Sequence, residues 1–170
     1  MPKAVKIYVH YVDLVSRTVG RFAMLLIFAM MGILLLSSVS RTFFNVSYIW
    51  VVEVAQFLLA AYYILGGGYS MQMESHVRMD ILYGQFSPKR KAISDVLSAI
   101  LLLAYLIFLL YGGISGTVYA LRYGQVNYSS WAPPLAPIKI IMCIGITLML
   151  LQVIAQFFKD LAKARGETLA

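Results

Sequence analysis

Few residues in this chain could do chemistry: it holds seven Asp and Glu, two His and one Cys among 170 residues. The carboxylate that raises a question is Glu53, in the stretch Trp50-Val51-Val52-Glu53-Val54-Ala55-Gln56 at the mouth of a long apolar run. An acid in that setting has three uses. It can carry a proton or a cation, favour the start of a helix, or meet a polar group of a neighbouring subunit. His10 and His76 are the only histidines. Two imidazoles could hold a haem between helices, but both fall at the edges of apolar runs and not inside them. No Cys/His cluster has metal-ligand spacing, and no Ser/His/Asp arrangement or phosphate-cradling glycine loop is present. No metal, cofactor or enzymatic activity is therefore expected. Cys143 stands alone, so there is neither an intrachain disulfide nor a thiol pair for redox chemistry.

The elements that position these residues are read from hydropathy. The chain is 61% hydrophobic and 12% charged, against roughly 25% charged in soluble domains. Four long windows lack any charge: 22–40, 54–73, 96–121 and 140–158. A helix needs about 20 apolar residues to cross a hydrocarbon core of roughly 30 Å. The run from Leu101 to Leu110 does not alternate, which excludes the pattern of a membrane β-barrel. The fold class predicted is an all-α membrane protein with four transmembrane helices, at about 20–40, 51–74, 88–121 and 138–160, forming one membrane domain over 1–170. The first window is preceded by some 21 residues and exceeds the length of a signal-peptide core, so it reads as a span and not a cleaved leader.

Lysines and arginines fix the expected orientation. Eleven of the fourteen lie before the first window, between the second and third, or after the fourth; Arg41, Arg122 and Lys139 lie in the other two connections. Both termini and the central loop should then be cytoplasmic. Six of the seven acids share that side, and Glu53 is the exception. The net charge of +7 is thus topological, and a basic soluble face for nucleic acid is absent. Over residues 3–18, Lys3, Lys6, His10, Asp13 and Arg17 recur at helical spacing, with Ala4, Tyr8, Tyr11 and Val15 on another face. This predicts an amphipathic helix on the cytoplasmic leaflet with its basic residues among membrane lipid headgroups, or else a docking surface for a partner protein.

Trp50 sits one turn before Glu53 and suits the membrane interface, so Glu53 is expected in the outer interfacial zone within the first turn of its helix. A charge there costs far less than the 2.5–3.5 kcal/mol, roughly, of a mid-membrane site, and the helix N-terminus favours it by about 0.3–1 kcal/mol. In the central loop, His76, Arg78 and Asp80 can pair with one another, with lipid phosphate, or with another subunit. Ser87-Pro88 is a helix-start signal. Gly66, Gly67 and Gly68 in the second helix, and Gly112 and Gly116 in the third, would let helices approach closely. Pro133, Pro134 and Pro137 end one helix and begin the next.

Taken together, Trp50-x-x-Glu53 at a helix start, the glycines 66–68, His76-Val77-Arg78-Met79-Asp80 and Ser87-Pro88-Lys89-Arg90-Lys91 before a long helix form a recognisable order. With Arg41 closing the first helix, and Gly124, Ser129 and Pro133 to Pro137 in the last connection, the chain resembles the small membrane subunit of TRAP transporters, the DctQ-like family. The resemblance implies a tripartite system of the bacterial inner membrane. A periplasmic binding protein delivers an organic acid to a large multi-spanning subunit, which carries the sodium and substrate sites. The small subunit would be a non-catalytic scaffold. Arg41, Trp50 and Glu53 would then lie where the large subunit or the docked binding protein could touch them, and His76, Arg78 and Asp80 would brace the inner end. The alternative is a self-contained exporter of the small multidrug type working through Glu53 as a homodimer. A haem or quinone anchor stands third.

Overall fold

The structure, a computed structural model, describes residues 3–73 and 88–164. Four helices account for nearly all of them: α1 (Lys3–Phe44), α2 (Val51–Gln72), α3 (Pro88–Tyr123) and α4 (Ala136–Ala164). All four are long and apolar enough to cross a membrane. Among the described residues there is no strand, only an isolated bridge between Val126 and Pro134. The all-α, four-span architecture read from hydropathy is the one observed.

The helices run alternately up and down. Helix α4 is the hub, packing on α1, α2 and α3, while α1 also packs along α2. Helix α3 rests on α4 by a narrow stripe, with Leu106 and Ala120 at 1% exposure and Thr117 buried one turn before Ala120. Leu106, Ile146 and Val153 form an apolar core joined by Met71 and Met149.

Apolar burial alone does not explain why these helices associate. Lipid tails are as apolar as leucine, so packing density and interhelical hydrogen bonds must supply the drive. Density comes from glycines at the crossings. A Cβ at Gly20 would run into the Cβ and ring of Tyr69, so α1 and α2 meet there almost backbone to side-chain stem. A Cβ at Gly145 would strike Ile64, including its carbonyl oxygen at 3.0 Å, so the backbones of α4 and α2 touch. Gly67 faces Met149, and Gly68 lies between Ser16 and the backbone of Leu148. A Cβ at Gly66 or Gly112 would meet nothing within 4 Å. The close crossings therefore fall on Gly20, Gly67, Gly68 and Gly145, not on Gly66 or Gly112.

Two helix ends are shaped by left-handed residues. Asn45, at φ 54°, ends α1, and Gly124, at φ 57°, ends α3. At the second, the amide of Gln125 donates to Ala120 O at 3.0 Å, the six-to-one bond of a Schellman cap. The chain then folds back through a short turn: Asn127 N donates to Pro133 O at 2.9 Å, and Leu135 N to Gln125 O at 3.0 Å. Gln125 is thereby fixed beside the first turn of α4.

One difference from the sequence reading concerns residues 3–18. They are not a separate interfacial helix. They form the first part of one continuous 42-residue helix, which spans about 63 Å at 1.5 Å per residue. Val9, Ser16, Gly20 and Ala23 are buried along one face of it, with Val12 and Asp13 partly buried between the first two, so the face that meets the bundle begins well before the apolar window does.

Candidate functional site

Two clusters of polar side chains lie at opposite ends of the bundle. At the end bearing the 45–50 and 124–135 connections stands Glu53, the third residue of α2. Its neighbours in sequence, Val51 and Ala55, are buried, and Glu53 itself is 7% exposed. The helix begins without a side-chain cap from Trp50. Glu53 is the acid of the first turn, where the aligned peptide dipoles favour a negative charge. Its Oε2 is buried and has no hydrogen-bond partner among the described residues. Leaving such an oxygen unmatched costs about 1–3 kcal/mol, more when it is charged. Trp50 is partly buried and stacks at a tilt on Tyr48, 6.0 Å between ring centres. Arg41, in the last turn of α1, is exposed. The structure thus brings Arg41, Trp50 and Glu53 to one end of the α1–α2 pair, with the acid turned inward and the base outward.

At the opposite end, α1 and α4 are joined by a polar network that the sequence did not single out as a unit. Asp13 forms an ion pair with Lys159, Oδ2 to Nζ 2.6 Å, with both side chains a little over one-fifth exposed. Gln152, fully buried at 0% exposure, bridges two α1 residues. Its Nε2 donates to Asp13 Oδ1 at 2.9 Å, and its Oε1 accepts from Ser16 Oγ at 2.8 Å. Tyr8 donates to Leu151 O at 3.0 Å and sets its ring edge-on to Phe158. Lys6, His10 and Arg17 point outward. The helical repeat of charges in 3–18 therefore splits, with Asp13 claimed by the bundle. The available signal was Gln152, an amide inside an uncharged window, since a buried amide in a span needs a partner.

A third set of polar contacts links α3 to α4. Lys139 Nζ donates to Gly116 O at 3.2 Å and to Gln125 Oε1 at 2.7 Å. Thr117 Oγ1 donates to Gly113 O at 2.7 Å and lies 3.3 Å from Cys143 Sγ. Gly116 faces Lys139, and Gly113 faces Cys143. The residues His76, Arg78 and Asp80 lie outside the described residues.

These arrangements hold helices together. Among the described residues no group of three or more His, Cys, Asp or Glu could hold a metal ion. No curated protein is significantly similar to the chain. The profile of a family described as tripartite ATP-independent periplasmic transporters, DctQ component, matches residues 30–163. That match takes in the end of α1, Arg41, Trp50 and Glu53, the glycines of α2 and α3, and Gln152 and Lys159. The chain accordingly belongs to the DctQ family and is a small membrane component of a tripartite transporter.

Proposed function

We propose that this chain is the non-catalytic scaffold subunit of a sodium-coupled secondary transporter that imports organic acids delivered by a periplasmic binding protein. Its partners are the large multi-spanning subunit and that binding protein. It sits in the bacterial inner membrane with both termini and the 74–87 connection on the cytoplasmic side, as the distribution of lysine and arginine favours.

The observation that supports this reading best is where the buried polar groups go. Asp13, Ser16, Gln152 and Lys159 bond to one another across α1 and α4. A carrier needs polar groups along a path that a substrate or ion can follow. In this network they are used up in fastening α1 to α4, as suits a static element. Two buried side-chain oxygens lack a partner among the described residues, Glu53 Oε2 and Gln72 Oε1; Glu53 keeps a small exposed part, where a cationic group of a partner would reach its carboxylate. The exporter alternative asks for an acid deep in the bilayer, whereas Glu53 lies in the first turn of α2.

Affinity purification of the tagged chain in a mild detergent tests the reading. A large multi-spanning protein should co-purify in a fixed ratio. Isolation of a lone homodimer that exports cations in proteoliposomes would overturn it.

A further inference from the structure

Between α3 and α4 lies an apolar groove of about 340 Å³. Phe108, Gly112 and Gly116 line it from α3, and Met142, Ile146 and Lys139 from α4. It owes its depth to the absent side chains at Gly112 and Gly116: a Cβ at Gly112 would meet nothing within 4 Å, and at Gly116 only the Lys139 ammonium at 4.0 Å. Lys139 to Ile146 spans about 10 Å along the helix axis, which covers much of one leaflet's roughly 15 Å share of the hydrocarbon core. The groove therefore starts near the helix ends and runs inward along the bilayer normal.

Lys139 gives this groove a charged mouth. An ammonium has three N–H donors. Two go to neutral acceptors, Gly116 O and Gln125 Oε1, so the charge itself is uncompensated. No Asp or Glu occurs between Asp95 and Asp160, which covers α3 from residue 96 onward and α4 to Lys159. The neighbouring charge on α3 is another cation, Arg122 in its last turn. Glu53, on α2 at the same end, makes no ion pair among the described residues. A half-buried lysine tethered by neutral groups at the mouth of an apolar channel, with Arg122 in the last turn of α3 as a further cation, matches one chemistry: an anion with a hydrocarbon tail.

We infer that the α3–α4 groove is a binding site for an anionic glycerophospholipid, one acyl chain lying over Gly112 and Gly116 and its phosphate accepting the third hydrogen bond of Lys139. The Schellman cap at Gly124 is part of the site, because it presents Gln125 to the same ammonium and so fixes where the phosphate is met. The lipid fills a gap beside the helix that has the fewest contacts with the rest of the bundle. Nothing in this inference depends on the transporter reading.

The test is native mass spectrometry of the full chain, released from nanodiscs holding equal fractions of phosphatidylglycerol and phosphatidylcholine. Phosphatidylglycerol should be retained over phosphatidylcholine by about fivefold, the preference expected for one lysine near an anionic lipid. Lys139→Gln should abolish the preference and Lys139→Arg should keep it. Gly112→Leu, which has room at its Cβ, should lower retention of both lipids without lowering the melting temperature. Equal retention of the two lipids by the wild type would overturn the inference. So would a preference left intact in Lys139→Gln, or retention of both lipids left unchanged in Gly112→Leu. Suppose instead that the Gly112→Cys variant cross-links to a co-purified membrane protein in native membranes. The groove is then a protein interface, and the inference fails.

Discussion

Asp13 and Lys159 are separated by 146 residues in the chain and form an ion pair at 2.6 Å that ties the beginning of α1 to the far end of α4. The pair closes the bundle between its first and last helices. Exposed pairs are worth about 0.2–1 kcal/mol, and removing one partner of a buried pair costs roughly 3–5 kcal/mol. With each side chain about one-fifth exposed, Asp13→Ala should cost about 1–3 kcal/mol, since Gln152 loses its acceptor as well. Lys159→Met should cost less than Asp13→Ala, because Asp13 keeps the Gln152 amide. A double-mutant cycle on thermal unfolding in detergent should give a coupling of about 1 kcal/mol or more. A coupling near zero would mean that the two ends are not fastened by charge.

Gln152 is the centre of the same network and has no contact with solvent. Gln152→Leu keeps the volume but strands Ser16 Oγ and removes the amide that Asp13 accepts. Interhelical hydrogen bonds in membranes average about 0.6 kcal/mol, so the loss of two should cost roughly 1–2 kcal/mol. Ser16→Ala, which removes one, should cost about half as much. The order Gln152→Leu above Ser16→Ala in melting-temperature loss is the outcome to check.

The glycines give a prediction in which two pairs of like substitutions diverge. Gly20→Ala and Gly145→Ala place a methyl against Tyr69 and Ile64, where the obstacle is a side-chain stem or backbone that cannot swing away. Overpacking of this kind costs about 1–3 kcal/mol. Gly66→Ala and Gly112→Ala place it in open space, and alanine is the better helix former by about 1 kcal/mol. Those two variants should be neutral or slightly more stable. Comparing the four melting temperatures decides it.

What was legible in the sequence follows from the same physics. Four uncharged windows had to become helices, because backbone groups in lipid have no other way to be satisfied. Which glycines matter was not legible. Successive residues on a helix are rotated by about 100°, so Gly66, Gly67 and Gly68 cannot all face a neighbour, and the choice depends on where α4 lies. Residues 3–18 show the same limit. Lys6, His10 and Arg17 make a basic face that lipid headgroups could explain. The opposite function of Asp13 appears only when Lys159 and Gln152, on a helix far away in sequence, are brought beside it. Glu53 was placed correctly at a helix start by Trp50 and the apolar run behind it. Its burial depends on how α2 packs, and no local pattern carries that.

Glu53→Gln is the variant that discriminates between functions. Glutamine matches the shape of glutamate and removes the charge. If the Glu53 carboxylate receives a cationic group of the large subunit, association should weaken by about 2 kcal/mol or more, the cost of truncating one partner of a buried interfacial pair. That is roughly thirtyfold in affinity. Substrate uptake should fall in proportion to the complex that remains, and whatever transport persists should keep its sodium dependence. Pull-down of the large subunit and uptake at varied sodium, measured on the same membranes, read the two effects separately. Intact association with loss of ion dependence would instead make Glu53 the coupling group and sink the scaffold role. Intact association with intact uptake would leave Glu53 a helix-start residue, with its orphan oxygen a cost that the first turn of α2 absorbs.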